Sequence, residues 1–267
     1  MSARTALAVG ISLILFLAGC GERTPGPSPQ AAPSPTASTS PKQKPTPKPK
    51  PSASTKPTQA VPPQLRPQPT TLPPGLRRTT GGRAVALTFD DGPDPVWTPK
   101  ILDQLRRAGA KATFCMIGTR ARAYPELVVR IVREGHQLCN HSWRHDLNLG
   151  RRPVAEIRAD LVRTNRAIQA AVPGAKVPFY RQPGGKWTPE VVATGRQLGM
   201  RPLHWSVDPQ DWAKPSAPTI TRRVAGAVRP GAIVLMHDGG GNRAATVSAC
   251  THLISDLKRR YGLVRLG

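Results

Sequence analysis

The sequence predicts an α/β fold, a parallel sheet with helices outside it that closes into an incomplete or distorted barrel, with a doubly wound open sheet as the alternative. Three observations carry this expectation. Short apolar runs alternate with helix-patterned segments from residue 84 onward, the signature of strand–helix units and a parallel sheet. Seven strand candidates fit within residues 84–266, whereas a full eightfold barrel usually takes about 250 residues. Polar clusters recur where the strand candidates end, and ligands gather at the carboxyl ends of parallel strands.

The chain starts with a short positive segment, Met1–Arg4, followed by an apolar run, Ala6–Ala18. That run is shorter than the roughly 20 residues a membrane span needs, so residues 1–19 read as a signal peptide. It ends in Leu17-Ala18-Gly19-Cys20, which resembles the bacterial lipobox. The resemblance implies a lipoprotein: an exported chain, acylated at Cys20 and anchored on the outer face of the cytoplasmic membrane. Of the 31 prolines, 17 lie between residues 21 and 80, among Ser, Thr and Lys. Such a tract cannot bury enough apolar surface to offset its ordering entropy, so residues 20–80 are expected to be a disordered or polyproline-like tether reaching into the cell wall. Residues 81–267 remain for one core.

The net charge of +24 predicts attraction to polyanions, and a Lys/Arg-rich proteome working near an anionic cell wall is the preferred explanation of it. Nucleic acid is not expected, because no nucleic-acid-binding motif occurs and aromatic residues are few. A monomer is expected.

Strand candidates are Ala84–Phe89, Ala112–Met116, His136–Asn140, Val177–Arg181, Arg201–Trp205, Ala232–His237 and Leu263–Leu266. Helix candidates are Pro99–Ala108, Pro125–Glu134, Val154–Ala171, Pro189–Leu198, Thr219–Val228 and Ala245–Arg260. Prolines 99, 125, 153 and 189 stand at or near helix starts, where a missing N–H costs nothing. Cys115 and Cys139 fall on successive strand candidates, as a disulfide or as two buried thiols; Cys250 reads as a core thiol.

Thr88-Phe89-Asp90-Asp91-Gly92-Pro93 closes the first strand candidate with two adjacent carboxylates. Downstream, His141-Ser142-Trp143-Arg144-His145 has metal-ligand spacing. One carboxylate and two imidazoles suit a divalent cation with positions left open, and the second carboxylate is then available as a base. Arg181, Asp208, Asp211 and His237 follow at later strand ends.

These motifs, with Arg181-Gln182-Pro183-Gly184-Gly185, Asp208-Pro209-Gln210-Asp211-Trp212 and Leu235-Met236-His237, resemble the five ordered motifs of the polysaccharide deacetylases, carbohydrate esterase family 4. The resemblance covers residues 84–266. It implies a distorted (β/α)7 barrel and removal of N-acetyl or O-acetyl groups from a sugar polymer. It also implies a metal held by Asp91, His141 and His145, with zinc favoured over cobalt, nickel or manganese. Asp90 would be the general base, paired with Arg181; His237 would be the general acid, supported by Asp211. Gly184, Trp212 and Leu235 would bind substrate. Gly184 stands where the family usually has an aromatic residue, and Trp187 is expected to compensate. The expected substrate is peptidoglycan or a chitin-like polymer. An O-acetyl xylan esterase and a non-catalytic wall-binding lipoprotein are the rival readings.

Overall fold

The computed structural model describes Arg66 and residues 68–267. The expected signal peptide, Cys20 and most of the expected tether lie outside these residues. Among the described residues no helix is long and apolar enough to cross a membrane.

Six parallel strands form one curled sheet in the order β5-β4-β3-β2-β1-β6. They are β1 (Ala86–Asp90), β2 (Thr113–Met116), β3 (Gln137–Asn140), β4 (Phe179–Tyr180), β5 (Arg201–Pro202) and β6 (Ile233–His237). Among the described residues seven α-helices surround it: α1 (Trp97–Arg107), α2 (Gly118–Ala123), α3 (Pro125–Arg133), α4 (Val154–Ala171), α5 (Pro189–Gln197), α6 (Ala217–Ala227) and α7 (Ala244–Tyr261). This is the curled half-barrel of the expected α/β class.

Two-residue periodicity divides the sheet into two faces. Leu87, Phe89, Phe114, Met116, Leu138, Val234 and Met236 join the main core beneath the helices, with Ile101, Leu102 and Leu105 of α1. The alternate residues Ala86, Cys115, Cys139, Phe179 and Ile233 fill a smaller interior cluster. Continuing this interior register toward the strand ends reaches Thr88 and Asp90, Arg181, and Leu235 and His237. Pleat geometry thus aims the chemical groups inward while apolar neighbours hold each strand, at roughly 1.5–3 kcal/mol per large buried side chain.

Several elements depart from the sequence expectation. Leu263–Leu266 is not a seventh strand; Leu263 makes only an isolated parallel bridge with Val85. β4 and β5 shrink to two residues each, and α2 occupies a stretch read only as a connection. Pro125 and Pro189 open their helices, but Pro153 is the residue before α4 and Pro99 lies inside α1. The packed unit also begins upstream of residue 81. Arg66 N–H donates to Arg151 O (2.9 Å), Gln68 Nε2 to Trp187 O (3.1 Å) and Arg77 N–H to Pro202 O (2.9 Å). Composition misses this because Pro-rich backbone can dock on a surface while burying little side chain. Cys115 and Cys139 are register partners on β2 and β3 and form a disulfide, and Cys250 is a buried free thiol.

Candidate active site

Loops after the strands converge on a cleft of about 420 Å³ lined by Asp90, Asp91, His141, His145, Gly184 and His237, among others. Asp90 is the last residue of β1, and Asp91 takes φ 74°. Ser142 and His145 also lie in the left-handed region, at φ 63° and 58°. Each non-glycine residue held there costs about 1–2 kcal/mol, and such strain collects where side-chain direction matters more than local comfort. Surrounding bonds hold the loop in place. Asn140 Oδ1 accepts from Ser142 N–H (2.9 Å), Asp160 Oδ1 from Trp143 N–H (2.8 Å) and Trp143 O from Thr119 N–H (3.0 Å).

Asp91, His141 and His145 come together as the sequence predicts. Their ligand atoms lie within 4.8 Å of one another. Asp91 Oδ1 is 3.5 Å from His141 Nε2 and 3.4 Å from His145 Nε2. His141 Nδ1 lies 2.8 Å from Arg181 O. A carbonyl only accepts, so Nδ1 carries the proton and Nε2 presents its lone pair. Burial lowers the His141 pKa to about 3, outweighing the Asp91 charge, which keeps the ring in its ligating neutral form. Asp91 Oδ1 is buried with no hydrogen-bond partner, and an orphaned carboxylate oxygen calls for a cation. The donor set therefore fits a divalent metal. The loop after β6 closes against it, and only glycine permits the approach: a Cβ on Gly240, at φ +72°, would stand 2.4 Å from Asp91 Oδ2.

Asp90 and Arg181 form a buried pair, with Arg181 Nη1 2.7 Å from Asp90 Oδ1. The guanidinium is further fixed by Thr88 Oγ1 (2.8 Å), Leu203 O (3.2 Å) and His204 O (3.1 Å). Asp90 Oδ2 points elsewhere, to 3.6 Å from His141 Nε2, so one carboxylate oxygen is anchored and the other faces the metal set.

His237 ends β6, and its Nδ1 lies 2.7 Å from Asp211 Oδ1. Asp211 Oδ2 accepts from His237 N–H (2.9 Å) and Thr246 Oγ1 (2.8 Å). Burial by itself lowers the His237 pKa, but the hydrogen bond and charge of Asp211, aided by Asp90 and Asp91, raise it to about 9. Asp211 is lowered: burial opposes its charge, and the bonds from His237 and Thr246 prevail.

Gly184 and Leu235 line the cleft, and Trp212 stands on its rim with 51 % of its surface exposed. Trp187 does not compensate for Gly184. It is buried, and its Nε1–H donates to His204 Nδ1 (3.2 Å), because its ring packs edge-on against Tyr180 in the core. Trp205 and Leu147 line the cleft instead. Asp208 also faces the cleft, its Oδ1 accepting from Gln210 N–H at 2.7 Å.

Sequence reasoning missed Asp238 and Arg243. Asp238 is buried beside His237, takes a 2.5 Å bond from Thr98 Oγ1, and has a pKa raised by burial to about 7. Arg243 joins the loops that carry His237 and Asp211 by donating to Gly239 O (2.6 Å) and Asp211 O (3.2 Å). Adjacency to His237 was the one signal for Asp238; Arg243 had none.

Residues 77–203 match the polysaccharide deacetylase family. A chitooligosaccharide deacetylase from Bradyrhizobium is 44% identical over 192 residues, 68% of this chain and 87% of the relative. A Bacillus cereus peptidoglycan-N-acetylglucosamine deacetylase is 38% identical, covering 67% and 83%. Among solved structures, a peptidoglycan N-acetylglucosamine deacetylase superposes with TM-score 0.67 at 35% identity, covering 72% of this chain and 89% of that one. A Bacillus anthracis pseudoenzyme of carbohydrate esterase family 4 superposes with TM-score 0.66 at 31% identity, covering 72% and 67%. This chain belongs to the polysaccharide deacetylase family, hydrolases built on a (β/α)7 fold.

Proposed function

We propose that this chain hydrolyses N-acetyl groups from a cell-wall amino-sugar polymer, peptidoglycan before chitin-like glycans. The observation that carries the reading is the joint presence, in one cleft, of the Asp91–His141–His145 donor set, the Asp90–Arg181 pair and the His237–Asp211 pair. Fold alone would not carry it, since a pseudoenzyme shares the fold.

Asp91, His141 and His145 would hold the metal, which supplies Lewis acidity toward the acetyl oxygen and the attacking water. Zinc suits this donor set, and cobalt, nickel and manganese are the alternatives. Arg181 orients Asp90 through Oδ1, leaving Oδ2 to take the proton of the attacking water. His237 stays protonated at neutral pH with Nδ1 bound to Asp211, so the proton on Nε2 is the one passed to the departing amine. Trp212 offers an exposed ring for a sugar face, and Leu235 offers an apolar wall for the acetyl methyl.

The leader and the Leu17–Cys20 motif support export and lipid anchoring within the same reading; Cys20→Ala would then shift the protein from the membrane fraction to the soluble one. The direct test is acetate release by the zinc-loaded protein from peptidoglycan, chitooligosaccharide and acetylated xylan. Release from the first two sustains the proposal, release from xylan alone replaces it with an esterase, and release from none ends it.

A further inference from the structure

The loop that carries both histidines has a second face. There α2 and α4 leave a groove of about 490 Å³, floored by Ala121, Ala167 and Ala170 and bordered by Trp143. Arg122, Arg163 and Arg166 line it, all exposed. Arg163 and Arg166 are three residues apart on α4 and so share a face. The Arg163 guanidinium stands 4.1 Å from the Trp143 ring centroid and that of Arg122 stands 5.0 Å from it. Among the described residues none of the three makes an ion pair, whereas other arginines of the chain do. Trp143 is itself buried, and its indole N–H has no acceptor.

Three like charges gathered without an ion-pair partner, with only the more distant Asp160 carboxylate acting on Arg163, repel one another, and a bound anion relieves that repulsion. Guanidinium forks match phosphate oxygens in pairs, and an arginine stacked on an indole presents its fork at low entropic cost. The alanine floor suits carbon linkers rather than a continuous band of charge. We propose that this groove is a second, non-catalytic binding site for a linear phosphodiester polyanion. Its phosphates seat against Arg122, Arg163 and Arg166, and its polyol carbons lie over the alanines. Because Trp143 sits between His141 and His145 in the sequence, the polymer would hold the hydrolase against a wall surface through the loop that builds the metal set.

The test is calorimetric titration of the full-length chain with poly(glycerol phosphate) at low and high salt. A variant carrying Arg122→Gln, Arg163→Gln and Arg166→Gln is compared with one carrying Arg83→Gln, Arg133→Gln and Arg222→Gln, which loses the same charge elsewhere. The groove variant is expected to bind about tenfold more weakly or worse, and the charge-matched variant to stay within about threefold of the parent, with binding weakening as salt rises. Equal losses in both variants would show attraction to overall charge alone and overturn the site. Tighter binding to polyglutamate or to anionic lipid vesicles than to the phosphodiester polymer would overturn the ligand class. Circular dichroism checks folding. If the triple variant unfolds, Arg166→Gln alone decides, since Arg166 does not stack on Trp143: a loss of about threefold sustains the site and no loss overturns it.

Discussion

Asp90 and His237 are register partners across the parallel β1–β6 ladder, which places the proposed base and acid side by side on the inward face of neighbouring strands. The Asp90 charge is also one of the influences raising the His237 pKa. The two proton-handling groups are therefore coupled, and altering either is expected to move the pH profile of the other.

In the proposed mechanism the His237–Asp211 pair sets the alkaline limb. His237 works as an acid only while protonated, so activity is expected to fall as pH rises through about 9. Asp211→Asn removes the main raising influence, so the limb moves toward lower pH and kcat falls; a kcat–pH profile on an N-acetyl oligomer checks this. The same pair has a stability consequence. A histidine pKa raised above its unfolded value of about 6.5 contributes stability in full below that pH and loses it as pH passes the folded value. The stability gap between the parent and His237→Gln should therefore narrow between roughly pH 6.5 and 9 in denaturant titrations.

His237→Ala also separates amide from ester chemistry. An amine leaves poorly without a proton and an alkoxide leaves more readily, so the variant should lose about 10²–10⁴-fold on N-acetyl substrates and clearly less on O-acetyl ones. Equal losses on both would remove His237 from the acid role.

Asp90→Asn keeps the shape of the base but not its charge. About 10²–10⁴-fold of kcat should disappear while metal content, read by atomic emission, is retained. His141→Ala or His145→Ala should instead lower metal content and activity together. Removing metal with a chelator should abolish acetate release in the parent, and added zinc should restore it.

Gly240→Ala tests the closure of the β6 loop over Asp91. The new Cβ would meet Asp91 Oδ2 at 2.4 Å at a backbone φ of +72°. A stability loss of about 1–3 kcal/mol is expected, together with weaker metal binding. By contrast Phe89→Ala, which removes a fully buried ring stacked on Phe114 at 5.3 Å, should cost about 3–5 kcal/mol. Because Phe89 faces the helices, the parent's metal stoichiometry should survive in whatever remains folded.

How much of this was legible beforehand differs from element to element. The helix α4 was readable to the residue, because an 18-residue amphipathic stretch follows a proline. β4 and β5 were overestimated, since apolar runs report burial and not how long a ladder persists. The expected final strand, Leu263–Leu266, is buried at Leu266 but bridges at a single point, for the same reason. Trp187 was misassigned to the groove because composition does not say which side of a strand end a ring will take.

The amino-acid order alone determined the alternation of strands and helices, the placement of Asp90, Asp91, Arg181 and His237 at strand ends, and the grouping of His141 with His145, since each depends on spacing along one segment. The folded arrangement decided what depends on distances between segments. It joined Arg181 to one oxygen of Asp90, set Asp211 beneath His237, brought the disulfide partners into register, and packed Arg66, Gln68 and Arg77 onto the domain. It also buried Asp238 beside the site, because desolvation comes from neighbours that lie far away in the chain.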